Sequence, residues 1–217
     1  MKTDRQLQQD IMAELTREPA VQAEHIGVEV TDGVVTLSGH VQSYCEKWRA
    51  EESAQRVSGV NALAVEIDVQ LPGTAQRADA DIARTAENVL LWTSILPKDA
   101  IKVLVEKGWV TLTGALDWDF QRKAAVNALR HLMGVTGVSN QIVITPTVPL
   151  SAVKADIEAA LMRRAGNSAG AISVEVQGGE VTLSGTVHSW SERDLATHAA
   201  WSTPGVHKVV DHTRLFY

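Results

Sequence analysis

Apolar residues recur every four positions in three separate stretches: Leu7, Ile11 and Leu15; Ile82, Ala86 and Leu90; Val153, Ile157 and Leu161. That spacing lays one apolar stripe along a helix, with Asp10, Glu14 and Asp156 off the stripe. Pro19, Pro97 and the pair Gly166-Asn167 supply stop signals. After each predicted helix the period changes to two. Ile26, Val28 and Val30 alternate with polar or small residues, Asp32-Gly33 follows, and Val35, Leu37 and Val41 continue the pattern. Alternation on both sides of Asp-Gly predicts a β-hairpin whose two turn residues take positive φ. Lys107-Gly108 and Gly178-Gly179 hold the same place further along.

The second strand of each hairpin is nearly one sequence. Gly33-Val34-Val35-Thr36-Leu37-Ser38-Gly39 returns as Gly108-Trp109-Val110-Thr111-Leu112-Thr113-Gly114 and as Gly179-Glu180-Val181-Thr182-Leu183-Ser184-Gly185, at offsets of 75 and 71 residues. Solenoid and propeller repeats are shorter, roughly 20–50 residues. The period is that of a small folded unit, so the chain reads as three tandem domains, 1–73, 75–147 and 149–217. Gly33, Gly108 and Gly179 serve the turns. Gly39, Gly114 and Gly185 sit inside a strand pattern, where glycine marks a bulge or a close approach of backbone.

A second helix follows each hairpin. Ser43-x-x-Glu46 and Ser189-x-x-Glu192 have the spacing of a capping box, while the middle copy carries Trp118 and Gln121 there. Its buried face is predicted at Ala50, Ala54 and Val57, at Ala125, Leu129 and Leu132, and at Ala196 and Ala200. Gly59-Val60, Gly137-Val138 and Gly205-Val206 close the helices, and final strands cover 64–69, 141–144 and 209–212. The order is α-β-β-α-β, and a helix between the last two strands permits a parallel crossover. The fold class is therefore α+β: three tandem αββαβ units, each a three-stranded mixed sheet with two helices packed on one face.

Composition narrows the function. No apolar run approaches the roughly 18 residues that span a bilayer, so no transmembrane segment is expected. The N-terminal stretch has no apolar signal-peptide region, which predicts a cytoplasmic protein, or a periplasmic one only if the chain is a processed form. The single Cys45 cannot make an internal disulfide. Net charge is −6, and it is unevenly placed: 6 Lys/Arg against 12 Asp/Glu over 1–74, 8 against 7 over 75–148, and 6 against 7 over 149–217. A chain without a basic surface is not expected to bind nucleic acid.

Catalytic chemistry finds no support. Cys45 is matched in the other copies by Phe120 and Ser191, so the shared frame does not depend on a thiol. P-loop and dinucleotide tracts are absent from the sequence, which predicts neither enzyme activity nor a cofactor. Four of the seven histidines fall in the third copy, at 188, 198, 207 and 212; none forms an H-x-x-x-H or H-x-x-E-H pair and no cysteine cluster joins them, so no metal is expected.

Tryptophan is the unusual residue: six, against two Phe and two Tyr. Two readings stand. The rings fill junctions between small units, or they form an exposed rim for lipid head groups or apolar protein segments. Trp118 and Trp190, one position apart in the repeat frame where a loop meets a helix, are the candidate rim members. Arg122, Lys123 and Arg130 share a helix near Trp118, a composition found at membrane surfaces. The candidate ligand-binding residues are thus Trp118, Trp190, Arg122 and Lys123.

The three Val-Thr-Leu-Ser/Thr-Gly tracts, the hairpin before each and the Gly-Val before each last strand resemble the BON domain, the bacterial OsmY and nodulation domain. The resemblance implies a non-catalytic binding module linked to phospholipid association, osmotic stress and chaperone-like activity. The partner it implies is phospholipid or a protein client, with self-association left open. A related cytoplasmic protein, which joins this domain to a LysM module, implies a different alternative: a sensor of a monovalent cation, potassium.

Overall fold

The computed structural model describes residues 2–145, 172–177 and 179–215. The first repeat runs α1 (Asp4–Arg17), β1 (Ile26–Thr31), β2 (Val34–Val41), α2 (Tyr44–Arg56) and β3 (Ala62–Val69). The second repeats the order as α3 (Asp79–Trp92), β4 (Ile101–Glu106), β5 (Trp109–Leu116), α4 (Asp119–Arg130) and β6 (Gly137–Ile144). The third contributes β7 (Ile172–Gln177), β8 (Glu180–Val187), α5 (Trp190–Trp201) and β9 (Lys208–Leu215). The helix expected through Val153, Ile157 and Leu161, its stop at Gly166-Asn167, and Gly178 lie outside the described residues.

Each repeat forms its own sheet, ordered β1-β2-β3, β4-β5-β6 and β7-β8-β9. In the first, Val28 faces Leu37 across an antiparallel pair and Leu37 faces Val65 across a parallel one. The third has the same register, with Val174 opposite Leu183 and Leu183 opposite Asp211. The helical stripes are buried as their period requires: Leu7, Ile11 and Leu15 on α1, and Ile82, Ala86 and Leu90 on α3. Alternate strand positions are buried too: Val35, Leu37 and Ile67, then Val110, Leu112 and Ile142, then Val181 and Leu183. Ala50, Ala54, Ala125, Leu129, Ala196 and Ala200 complete the cores from the second helices. The fold is α+β, with helices laid on three mixed sheets. Two compact units gather these elements: Met1–Thr93 with Lys102–Leu112 and Val126–Asn140, and Ser94–Ile101 with Thr113–Ala125 and Gln141–Tyr217.

The hairpin turns have the expected backbone. Asp32 and Gly33 take φ of 51° and 75°, and Lys107 and Gly108 take 52° and 77°. One side chain that the periodicity does not reveal fixes each turn. The Asp4 carboxylate accepts from the backbone N–H of Asp32 and of Gly33 at 2.9 and 3.1 Å. Asp79 does the same for Lys107 and Gly108 at 2.7 and 2.8 Å. The first residues of α1 and α3 thus anchor hairpins 28 and 29 residues further along, using charge-assisted hydrogen bonds.

Two details depart from expectation. Gly137-Val138 does not close α4; it opens β6. The counterpart of Gly59-Val60 is Gly134-Val135, where Gly134 has φ of 88° and Val135 is buried as Val60 and Val206 are. The middle copy contains two Gly-Val dipeptides three residues apart, and backbone geometry selects the earlier one. The capping boxes are also displaced by one position. Ser43 and Ser189 accept from the N–H of Glu46 and Glu192, both at 3.1 Å. The carboxylates reach past the cap, to the N–H of Gln42 at 3.0 Å and of His188 at 2.6 Å.

Candidate functional site

Helix α4 begins with a buried carboxylate. The Asp119 side chain is only 3% exposed, and it pairs with Arg122 and, at 3.1 Å, with Lys123. Spacings of three and four residues bring both cations to its side of the helix. Arg122 also lays its guanidinium 4.5 Å from the centre of the Trp201 ring, at the end of α5. Just ahead of α4, Trp118 is half-buried, its ring 6.4 Å from that of the exposed Phe120. Trp118, Asp119, Phe120 and Lys123, with His198, Trp201 and Ser202, line a cavity of about 290 Å³. A wider groove of about 710 Å³ adjoins it, sharing Lys123, His198 and Trp201 and adding Ser191, Asp194 and Leu195.

Of the four residues singled out from sequence, Trp118 and Lys123 line the cavity and Arg122 is stacked on its Trp201 wall. Trp190 does not line it. The Arg193 guanidinium lies 5.3 Å from the Trp190 ring and its Nε donates to Asp211 at 2.5 Å. Arg130, expected in one cluster with Arg122 and Lys123, instead stacks 3.6 Å from the Trp48 ring. Burial lowers the pKa of Arg130, against the opposing fields of Tyr44, Cys45 and Glu52. Burial raises that of Glu51 despite Lys47 and Arg130. Cys45 Sγ rests 3.3 Å from His131 Nδ1 beside this stack. Trp48 and Trp201 each carry a guanidinium over the ring. Asp119, Phe120, His198, Trp201 and Ser202 were missed as cavity residues, and the one available signal was a carboxylate placed three and four residues before two cations.

Burial alone would raise the Asp211 carboxyl, but hydrogen bonds from Thr213 and from Arg193, with the Arg193 charge, bring it below the usual carboxylate range. A depressed folded value stabilises the protein above the unfolded pKa, about 3.9. That contribution disappears as pH falls through the folded value. Asp211→Asn should thus lower stability by about 1 kcal/mol at neutral pH and flatten the acid limb of the stability curve. Urea unfolding from pH 7 down to pH 2 would check it; an unchanged acid limb would count against the assignment.

The most exposed tryptophans lie elsewhere. Trp92, last residue of α3, is 89% exposed and follows the exposed Leu91. Trp109 is 50% exposed on β5, its indole lying where a Cβ at Gly137 would project. The matching register position is Val34 opposite Ala62 in the first copy, and Glu180 opposite Lys208, ion-paired at 2.9 Å, in the third. A large ring in the middle copy thus goes with a glycine beneath it. Among the described residues no three His, Cys, Asp or Glu side chains gather as a metal site, and no helix is long and apolar enough to cross a membrane.

Comparison with known proteins follows the same threefold division. The profile of the BON domain matches residues 3–70, 78–146 and 150–215. Osmotically-inducible protein Y of Escherichia coli (strain K12) is 29% identical over 136 residues, which cover 61% of this chain and 68% of that protein. Among solved structures, CdsD, a structural protein of the type III secretion system of Chlamydia trachomatis, is 16% identical, with 96% of this chain and 91% of that one covered and a TM-score of 0.27. The periplasmic domain of the type III secretion inner membrane protein PrgH from S. typhimurium is 14% identical, with 94% and 99% covered and a TM-score of 0.24. At such TM-scores the two likenesses bear on neither fold nor function.

Proposed function

The chain belongs to the BON domain family, and from that premise we propose that it is a non-catalytic binding protein of osmotic-stress physiology, associating with phospholipid or with apolar segments of client proteins. The family matches and the name of its Escherichia coli relative support the physiological setting. One observation carries the binding mode: a tryptophan at the end of α3 with nine-tenths of its surface in solvent, beside a half-exposed leucine. Tryptophan is enriched where one side of a ring meets an apolar phase and the other meets water. Trp92 is a better rim residue than Trp118 or Trp190, which are both half-buried.

Intrinsic fluorescence during titration with zwitterionic and with anionic vesicles tests the reading, with potassium chloride against sodium chloride in parallel arms. Vesicles should shift the emission to the blue, and Trp92→Ala should remove most of that shift. Stability should change by less than about 0.5 kcal/mol, because the side chain packs against little. A wild-type spectrum unmoved by either vesicle would sink the lipid branch and leave the client branch. A change specific to potassium would favour the cation sensor instead.

A further inference from the structure

Neither Trp92 nor Trp109 lines the cavity beside α4. Three aromatic residues do: Trp118, Phe120 and Trp201. Asp119 and Lys123 are the acidic and the basic residue of its lining, and Arg122, stacked on the Trp201 wall, shares the Asp119 carboxylate with Lys123. Arg122 is committed twice, to Asp119 and to the Trp201 ring. Lys123 is the more available cation, with its side chain 53% exposed and bonded to Asp119 at 3.1 Å. An ammonium carries three N–H donors, so this pairing leaves capacity for a second acceptor. The acidic Asp194 lines the adjoining groove and not the cavity.

Size restricts the occupant further. A volume of about 290 Å³ lies at the lower end of ligand sites, roughly 300–1,000 Å³. It admits one ring-sized body. We propose that this cavity binds a small organic carboxylate with an apolar, ring-sized body. The body packs on Trp118, Phe120 and Trp201, and the carboxylate accepts a hydrogen bond from Lys123 Nζ. A cationic ligand would face the Lys123 ammonium, and a neutral apolar one would leave the lysine unused. The head group of an anionic lipid could offer Lys123 the same charge, so the source must be separated by experiment.

Calorimetric titration of the full chain with phenylbutyrate tests the proposal, with phenylbutanol as the neutral analogue and phosphatidylglycerol vesicles as the lipid arm. Wild-type protein should bind phenylbutyrate saturably at one site with an affinity in the millimolar range or tighter. Phenylbutanol should bind about tenfold more weakly, as should phenylbutyrate to Lys123→Glu and to Phe120→Ser, whereas Lys123→Arg should retain binding. Positions 123 and 120 are each 53% exposed, and circular dichroism would verify that both variants keep the fold. Absence of saturation, equal affinity for Lys123→Glu, or a response to vesicles alone would each overturn the proposal. Trp92→Ala should leave phenylbutyrate binding unchanged, so failure of the rim and failure of the cavity are separate results.

Discussion

Gly114→Ala is expected to unfold the middle repeat. Gly114 has φ of 143°, a backbone region that side-chain-bearing residues rarely enter, and a Cβ there would overlap the carbonyl oxygen of Ala100. The obstacle is main chain leading into β4, so no rotamer change relieves it. Strained backbone costs about 1–3 kcal/mol and forced overpacking about as much again. A repeat of this size has a core worth only a few kcal/mol net, roughly 3–5. The sum is enough to lose the β4–β5 pairing. Gly39 repeats the situation, with φ of 121° and the His25 carbonyl oxygen in the way. Gly73 is the control, because a Cβ there would meet nothing within 4 Å. Amide exchange resolved along the chain should show protection lost over 101–116 in Gly114→Ala and kept in Gly73→Ala. Full protection in both would mean that the backbone at 114 accommodates a side chain.

That glycine was legible in the sequence because its signal is local. A glycine interrupting Val110, Leu112 and Leu116 in a period-two strand has few explanations, and its recurrence in Gly39 and Gly185 selects close approach. The hairpin turns were legible for the same reason, since positive φ at Asp32-Gly33 is a property of two adjacent residues. The Asp4 and Asp79 anchors were not. They join a side chain to backbone N–H groups 28 and 29 residues away, and backbone donors leave no trace in a hydrophobic pattern. The Gly-Val boundary in the middle copy failed because Gly134-Val135 and Gly137-Val138 satisfy the same rule, and the positive φ of Gly134 with the burial of Val135 decides between them. The cavity was half legible. Trp118, Arg122 and Lys123 could be placed on one short segment, but Trp201 and His198 enter it through tertiary packing of α5. Exposure was the least legible property of all, for Trp92 and Trp48 both sit on helices, one in solvent and one under a guanidinium.

Glu46→Gln should destabilise the first repeat by about 2–3 kcal/mol, although it preserves size and shape. The Glu46 carboxylate is buried, 7% exposed, and accepts from the N–H of Gln22 at 2.9 Å and of Gln42 at 3.0 Å. An amide in its place turns one oxygen into a donor facing a donor. Yet the middle repeat carries glutamine at this position without penalty, and the reason lies at the partner. Gln22 corresponds to Pro97, which has no N–H to satisfy. Gln121 is then free to accept from the Trp118 N–H at 3.2 Å and to donate its amide to the Ile95 carbonyl at 3.0 Å. Donor and acceptor have changed together between copies. Combining Glu46→Gln with Gln22→Pro should therefore recover much of the loss, giving a coupling of about 1 kcal/mol or more in a double-mutant cycle. Gln22 has φ of −89°, near the roughly −65° that a proline ring holds, so the backbone can accept the change. Urea midpoints of the two single variants and the double variant provide the cycle. Strict additivity would show that the Gln22 N–H does not need the carboxylate, and that the exchange between repeats has another cause.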